Sequence, residues 1–272
     1  MAEFKIKRSQ FIKRFCVGLG TAVFLFACSN SITEDPAPSS GAASDTTTTL
    51  LVATDPTFPP FEFQANGGDL TGFDVELMQA IGEAGGFEVE FQSLPFDGIV
   101  PALQAKTVDA AIAAMTITPE RKQTVAFTNP YFKAGLAIAV QSDNTEINSL
   151  DDLQGKRIAV QIGTTGAEQA SEISNADVRT FDSAPLALQE LANGNVDAVI
   201  NDAPVTLEAI KNENIQGLKV VGQLVTEEFY GIALPKNSEH LDEINASLQQ
   251  VIADGTYAEI YRKWFGAEPP QF

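Results

Sequence analysis

The sequence predicts an α/β fold of two lobes, each a mostly parallel sheet flanked by helices, joined by a two-strand hinge. Apolar runs of strand length alternate with segments whose apolar residues recur at helical spacing. This order is typical of parallel sheets with crossover helices. The order also occurs twice, because the helix, Val-Asp-Ala and buried-strand pattern of residues 102–112 returns at 187–200. We therefore expect two lobes built from one kind of unit.

The first 28 residues differ from the rest of the chain and predict export. Five basic residues precede an apolar stretch at 15–27, which is too short to span a bilayer comfortably and ends at Cys28. A small residue and then cysteine after such a stretch is typical of a lipoprotein signal, so Cys28 is the expected lipidation site and membrane anchor. An ordinary cleaved signal and a weak membrane anchor are the alternatives. All three place the protein on the periplasmic or cell-surface side.

Composition and charge exclude several classes of function. Residues 29–49 are rich in Ser, Thr, Ala, Pro and Asp and predict a flexible tether. The net charge is −19, and loss of the leader with its five basic residues and one acid would leave −23, which argues against a nucleic-acid partner. Cys16 lies in the leader, so no disulfide framework is expected. With His240 as the single histidine, no metal or cofactor is expected.

Residues 50–133 predict most of the first lobe. Asp74 is the predicted N-cap of its first helix. Near its end, Thr118 is the predicted N-cap of a short helix that has Pro119 in its first turn and carries Arg121. A proline-rich loop at 55–60 follows the first strand. The expected elements are strands at 50–53, 89–91 and 109–114 and helices at 74–85 and 96–105.

Residues 134–228 repeat this plan and predict the second lobe. Apolar strands at 134–141 and 229–234 are expected to cross between the lobes, so that residues 229–272 return to the first lobe and end in a helical region at 241–265. Two crossings form a hinge that permits closure. The expected elements between them are strands at 157–160, 178–181 and 196–200 and helices at 167–173 and 185–192.

Ligands of open α/β sheets bind beyond the carboxyl ends of the strands, and this rule selects residues on both lobes. The guanidinium of Arg121, beside the hydroxyls of Thr116 and Thr118, matches a planar anion and predicts a carboxylate clamp, with a solvated surface Arg as the alternative. The turn at 163–166 is either part of this site or a plain strand-to-helix turn with a cap. The selected residues are Asp55, Phe96, Thr116, Arg121, Gln161, Thr164, Thr165 and Asp202.

The chain resembles the polar amino-acid family of periplasmic solute-binding proteins of ABC importers, most closely the glutamine- and basic amino-acid-binding members. The resemblance covers nearly all of residues 50–268 and rests on motifs at 52–63, 72–74, 116–121, 163–166 and 255–266. It implies the two-lobed type II periplasmic-binding-protein fold and a free polar L-amino acid as ligand. It also implies an ABC permease with its ATPase as partner. We expect a monomer that is not an enzyme.

The resemblance further implies that the ligand is a zwitterion held by opposite charges on the two lobes. Arg121 is expected to bind the α-carboxylate, with the hydroxyl of Thr116 and the backbone N–H of Thr165 at a helix N-terminus. Asp202 is expected to pair with the α-ammonium. An alternative stays open for Asp202, which could instead cap the helix that starts near Pro204.

Aromatic and acidic residues are expected to bind the ligand side chain. Phe58 and Phe96 would sandwich it, although most Phe residues belong to a core. Asp55 would accept hydrogen bonds from a carboxamide, an ammonium or a guanidinium and would repel a carboxylate. Glutamate and aspartate are therefore not expected as ligands.

Three positions depart from the pattern of the glutamine-binding members. Gln161 stands where close glutamine binders carry Lys, Asn201 replaces a His, and Ala114 occupies a position where Gly is usual and where the backbone carbonyl would serve the ligand. Loss of a cation near the side-chain end relaxes the exclusion of cationic ligands. Glutamine and the basic amino acids arginine, lysine and histidine thus remain alternatives.

Two other functions are alternatives on the same scaffold. One is a dehydratase of prephenate or arogenate, which needs a general acid in the cleft. Asp55 and Asp202 are better explained as counter-charges for a ligand. The other is an extracellular amino-acid sensor, which needs a transmembrane helix that the sequence through Phe272 does not contain, so we expect the importer component.

Overall fold

The computed structural model describes residues 48–65, 67–212 and 215–270. The predicted signal peptide, Cys28 and the predicted tether as far as residue 47 lie outside these ranges. The strands are β1 (Thr49–Thr54), β2 (Thr57–Phe58), β3 (Glu62–Gln64), β4 (Leu70–Thr71), β5 (Glu88–Ser93), β6 (Ala110–Ala111), β7 (Val125–Phe127), β8 (Phe132–Ala134), β9 (Leu136–Gln141), β10 (Arg157–Gln161), β11 (Asp177–Phe181), β12 (Ala198–Asp202), β13 (Leu218–Val221), β14 (Glu228–Tyr230) and β15 (Ala233–Pro235). The helices are α1 (Phe73–Gly85), α2 (Phe96–Gln104), α3 (Arg121–Thr124), α4 (Thr165–Ser171), α5 (Ala184–Ala192), α6 (Ala203–Lys211), α7 (Leu241–Ala253) and α8 (Thr256–Phe265), with a 3₁₀ turn at Leu150–Leu153.

Two five-stranded sheets with the same plan form the body of the molecule. The first has the order β5-β1-β6-β15-β7 and the second the order β11-β10-β12-β9-β13. In each, the first three strands are parallel, and the fourth and fifth complete a mixed sheet through antiparallel pairs. We call each sheet with its packed helices a lobe. The predicted α/β class with two similar halves is confirmed.

The connection between the two sheets differs from the prediction. The predicted crossing strands at 134–141 and 229–234 are each divided, the first into β8 and β9 and the second into β14 and β15. β8 and β14 pair with each other as a two-stranded hinge, while β9 and β15 belong to the second and first sheets. The chain bends at Gly135, where an added Cβ would lie 2.2 Å from the carbonyl oxygen of Thr226, so only glycine is accommodated.

The start of α1 corrects a second prediction. Gly72, not Asp74, occupies the N-cap position, and its φ of 136° is one that residues with a side chain rarely adopt. Asp74 lies inside the first turn and is buried. Its Oδ2 accepts hydrogen bonds from the backbone N of Ala114 at 2.8 Å and the hydroxyl of Tyr131 at 2.7 Å. Asp74 therefore joins α1 to the chain that follows β6.

Several other boundaries differ from the predicted ones. α3 begins at Arg121 with Glu120 as N-cap, so Pro119 precedes the helix, although the hydroxyl of Thr118 still accepts a bond from the backbone N of Arg121 at 3.2 Å. The predicted strand at 109–114 is reduced to β6, and the predicted loop at 55–60 contains β2. These short elements are fixed by contacts with neighbouring strands rather than by local periodicity.

An aromatic cluster anchors the hinge to the first lobe. Phe61 packs edge-to-face against Phe132 of β8 and Tyr230 of β14, with ring centroids 4.9 and 5.3 Å apart. Phe73 of α1 and Phe265 of α8 complete the cluster, 5.2 Å apart. Buried aromatic pairs of this geometry stabilise a fold beyond the area they bury. No helix within the described ranges has the length and apolar composition that crossing a membrane requires.

Candidate ligand-binding site

One cleft between the two sheets collects all ten residues that the sequence analysis selected. The cleft is nearly closed, with a free interior volume of about 10 Å³. Asp55, Gln161 and Asp202 lie at or directly after the carboxyl ends of strands of the two sheets, as the rule for open sheets requires. Two further residues, Glu62 and Ala113, were not selected. The lining consists of Asp55, Phe58, Glu62, Phe96, Ala113, Ala114, Thr116, Arg121, Gln161, Thr164, Thr165 and Asp202.

Arg121 extends from the start of α3 across the cleft. Its Nη1 donates to the carbonyl of Thr116 at 2.7 Å, and its Nη2 donates to the carbonyl of Gly163 in the opposite lobe at 3.0 Å. Its guanidinium carbon lies 5.4 Å from the ring centroid of Phe96. Burial lowers the pKa of Arg121 and nearby carboxylates oppose this, but a guanidinium stays protonated in proteins. Two of its five N–H donors are engaged here, so it retains donors for an anion.

Asp202 lies at the end of β12 and is 6% exposed. It occupies the N-cap position of α6, as the alternative interpretation expected, but its side chain makes no capping bond. Its carboxylate instead accepts a hydrogen bond from the hydroxyl of Tyr230. Desolvation, reinforced by the nearby charge of Glu228, raises the pKa of Asp202 to about 7, although Tyr230 and Arg121 act in the opposite direction. A cation in the cleft would favour its charged form.

Asp55 and Gln161 meet across the cleft. The Nε2 of Gln161 donates to Oδ2 of Asp55 at 3.0 Å, and the hydroxyl of Thr57 donates to Oδ1 at 2.9 Å. Burial raises the pKa of Asp55, while these hydrogen bonds lower it. Both donors are neutral groups, so neither of them neutralises the charge of Asp55.

The turn at 163–166 is a capped strand-to-helix turn that also faces the cleft. The hydroxyl of Thr164 accepts from the backbone N of Ala167 at 3.2 Å and donates to the carbonyl of Gln161 at 2.8 Å. Thr165 then begins α4. The two interpretations of this turn are therefore compatible, because the cap orients Thr164 and Thr165 at the wall of the cleft.

Phe58, Phe96 and Ala114 form the less polar part of the wall. Phe58 is buried and also belongs to the core of the first lobe, so the core and wall interpretations both apply to it. Phe96 begins α2 and lies beside Arg121. Ala114 has a φ of 45°, in the left-handed region that favours glycine. Its backbone N is held by Asp74 at 2.8 Å.

Glu62 is a site residue that the sequence analysis missed. It lies in β3, has 0% exposure and lines the cleft. Within the described ranges no N–H or hydroxyl donor reaches its two carboxyl oxygens or Oδ1 of Asp74. Each of the two carboxyl groups shifts the pKa of the other. Burial raises the pKa of Glu62 well above its ordinary value and that of Asp74 to about 6.

Glu228, at the hinge, was missed as well. It is 7% exposed and lies behind the wall of the cleft. One carboxylate oxygen, Oε2, accepts from the hydroxyl of Thr116 at 2.8 Å and from the hydroxyl of Thr165 at 3.2 Å. Glu228 follows Glu227 in the sequence, and such a pair usually reads as a solvated surface. A polar residue next to the apolar crossing strand was the available signal.

The chain is similar to a large set of bacterial binding proteins. The family model described as bacterial extracellular solute-binding proteins, family 3, matches residues 50–267. The L-cystine-binding protein TcyJ of Escherichia coli K12 is 36% identical over 223 residues, which are 81% of this chain and 84% of that protein.

Solved structures of binding proteins are also similar to this chain. An ancestral arginine-binding protein bound to arginine is 47% identical, with a TM-score of 0.78 over 80% of this chain and 98% of that one. The arginine-, lysine-, histidine-binding protein ArtJ from Geobacillus stearothermophilus is 41% identical, with a TM-score of 0.78 over 82% of this chain and 97% of that one.

Proposed function

Because this chain belongs to the bacterial extracellular solute-binding proteins, family 3, we propose that it binds a basic L-amino acid and delivers it to an ABC importer. The ligand would occupy the cleft between the lobes, and the hinge of β8 and β14 would let the lobes close on it. We take residues 50–133 with 229–272 as the first lobe and 134–228 as the second. No bond in the ligand is broken, so we propose a binding protein and not an enzyme.

The balance of charge in the cleft is the observation that carries this proposal. Arg121 is the one basic residue of the lining, whereas Asp55, Glu62 and Asp202 are acidic. The α-carboxylate of an amino acid would use Arg121, and the α-ammonium would use Asp202. Asp55 would then remain for the side chain. A buried carboxylate needs a cationic or hydrogen-bonding partner, so an ammonium or guanidinium is favoured over a carboxylate.

The walls of the cleft favour a flat cation in particular. The guanidinium carbon of Arg121 already lies 5.4 Å from the centroid of Phe96, so this ring can accept a cation on its face. Phe58 lines the cleft with it and would form the second wall. A ligand guanidinium between them could donate to Asp55, which now receives only neutral donors. We therefore propose arginine as the first candidate, followed by lysine and histidine, with glutamine as the neutral alternative.

Closure would exclude water from the charged groups that hold the ligand. Arg121 and Gln161 already make hydrogen bonds across the cleft, to Gly163 and Asp55. A ligand would replace both bonds with its own carboxylate and side chain. Paired charges in a site without water interact more strongly than in solvent, which compensates for their desolvation.

We also propose a location and a state for the working protein. Lipidation at Cys28 would tether it to a membrane on the periplasmic or cell-surface side, with residues 29–49 as a flexible spacer. It would act as a monomer and meet the permease in its closed form. Incorporation of radiolabelled palmitate in the producing cell, and its loss in a Cys28→Ser variant, would test the lipid.

A thermal-shift panel tests the ligand class. A ligand that binds the folded state raises the unfolding temperature, because it stabilises by RT ln(1 + [L]/Kd). We expect the largest shift with L-arginine, smaller ones with L-lysine, L-histidine and L-glutamine, and none with L-glutamate. L-Cystine is included in the panel because one relative is an L-cystine-binding protein. A shift with L-glutamate equal to that with L-arginine would contradict the proposal, and conversion of prephenate would contradict the binding-only role.

A further inference from the structure

We propose that Glu228 is a positioning residue that holds the cleft closed through Thr165, independently of the ligand. This inference rests on one part of the proposed function, namely that the cleft opens and closes. Glu228 itself lines no part of the cleft. Its Oε2 accepts hydrogen bonds from Thr116 on the first lobe at 2.8 Å and Thr165 on the second at 3.2 Å. One buried carboxylate oxygen therefore joins the two lobes.

Of these two bonds, the one to Thr165 is the bond that opening would break. The segment around Thr116 is fixed to β14 by backbone hydrogen bonds from Ile117 to Phe229 at 2.8 Å and from Gly231 to Met115 at 3.1 Å. Glu228 directly precedes Phe229, where the chain re-enters the first lobe, so Glu228 and Thr116 move as one unit. Thr165 begins α4, which packs on β10 and β12 of the second sheet and leaves with that lobe.

This contact differs from two other side-chain bonds that join the lobes across the cleft. The bonds from Arg121 to Gly163 and from Gln161 to Asp55 use groups that a bound amino acid would need. The bond from Thr165 to Glu228 uses a hydroxyl proton and a carboxylate outside the cleft. It can persist when the ligand is present, so it contributes to closure both with and without ligand.

Glu228 also fixes what the two hydroxyls offer to a ligand. A hydroxyl has one proton, and an ionised carboxylate can only accept. With their protons directed at Glu228, the hydroxyls of Thr116 and Thr165 present lone pairs to the cleft. Thr116 is then an acceptor for the ligand ammonium, and its sequence-based role as a donor to the carboxylate is replaced. The charged groups around Glu228 are Asp202 and Arg121, one on each side of the expected zwitterion.

Thr165→Val is the decisive variant, because it keeps the shape and the backbone N–H of Thr165 and removes only the hydroxyl. We expect L-arginine to dissociate roughly tenfold faster in stopped-flow experiments, since a hydrogen bond to a charged group is lost, with little change in association. We also expect small-angle scattering of the unliganded variant to give a larger radius of gyration. Glu228→Gln should behave similarly, and the double variant should add little to either single one.

Thr180→Val is the matched control, since Thr180 is an exposed threonine of β11 in the same lobe. It should leave the dissociation rate and the radius of gyration unchanged. Wild-type values for both quantities in Thr165→Val, or additive effects in the double variant, would overturn the proposal. If the wild-type protein did not bind L-arginine, the proposed ligand would be wrong, whereas the scattering comparison would still decide the role of Glu228.

Discussion

Gln161 of the second lobe donates its side-chain amide to Asp55 of the first lobe at 3.0 Å. In the glutamine-binding members that the sequence resembles, the position of Gln161 carries Lys. A lysine here would neutralise Asp55, whereas the amide leaves its charge in place. The residue at position 161 would therefore help to decide which class of ligand side chain the cleft accepts.

Gln161→Lys should convert the preference of the site. The ammonium would pair with Asp55 and repel a guanidinium, so we expect the affinity for L-arginine to fall at least about tenfold, which is the effect of a like charge at close range. Affinity for L-glutamine should fall less or rise. Gln189→Lys, at an exposed position of α5, is the control for added charge alone. Equal losses for both ligands, measured by calorimetry, would argue against a side-chain role for Asp55.

Arg121→Ala should remove the carboxylate clamp. Truncation of one partner of a desolvated charged pair costs about 2–5 kcal/mol, so calorimetry should show an affinity for L-arginine at least about 30-fold weaker. Arg121→Lys should recover only part of it, because an ammonium lacks the planar fork. Lys122→Ala changes an exposed neighbouring cation and should have no effect. A normal affinity in Arg121→Ala would exclude Arg121 as the group that binds the ligand carboxylate.

Affinity should depend on pH through Asp202, whose pKa is raised to about 7. The ligand ammonium needs the charged carboxylate, so binding should weaken as pH falls below 7, by up to about tenfold per unit. Asp202→Asn should bind weakly and lose this dependence. Titrations between pH 5.5 and 8 in buffers of different ionisation enthalpy would also count the protons released on binding. A constant affinity across that range would contradict the assignment.

The unliganded fold should show the opposite trend with pH. Asp74 and Asp202 have pKa values raised to about 6 and about 7, so the native state binds more protons than the unfolded chain between about pH 4 and 7. Their contribution to stability is present at low pH and is lost as pH rises through these values. Urea unfolding of Asp202→Asn should therefore show a weaker loss of stability over this window than wild type. An identical pH dependence in both proteins would exclude Asp202 as a source.

Ala114→Gly should stabilise the protein. Ala114 has a φ of 45°, and an L-residue in the left-handed region costs about 1 kcal/mol relative to glycine, which outweighs the entropy that glycine loses on folding. We expect the free energy of unfolding to rise by roughly 0.5–1 kcal/mol in a urea titration. Ala246→Gly in the exposed interior of α7 should lower it by a similar amount. Destabilisation by both substitutions would show that the backbone at 114 is not strained.

The sequence predicted those site residues that lie at the ends of strands. Asp55, Arg121, Gln161 and Asp202 are far apart in the chain but lie at or beyond the ends of buried strands, and parallel strands present their carboxyl ends on one side of a sheet. Their convergence on one cleft could therefore be predicted before any coordinate was available. The same reasoning predicted the repeated α/β plan, because hydrophobic periodicity marks long elements reliably.

Other features depend on contacts that periodicity does not encode. Glu62 lies in a short antiparallel strand within an aromatic stretch, so neither strand ends nor charge patterns identified it. Glu228 faces inward only because β14 pairs with β8 at the hinge. The N-cap assigned to Asp74 was wrong because the backbone of Gly72 and the tertiary partners of Asp74 determine where α1 begins.

Calorimetric titration with L-arginine and two truncated analogues tests most directly whether Arg121 and Asp202 bind the α-carboxylate and the α-ammonium of one ligand. Agmatine lacks the α-carboxylate, and 5-guanidinopentanoate lacks the α-amino group. We expect one L-arginine per chain and binding of each analogue weaker by about 100-fold, since each leaves one buried charge without its partner. Agmatine or 5-guanidinopentanoate binding as tightly as L-arginine would contradict it.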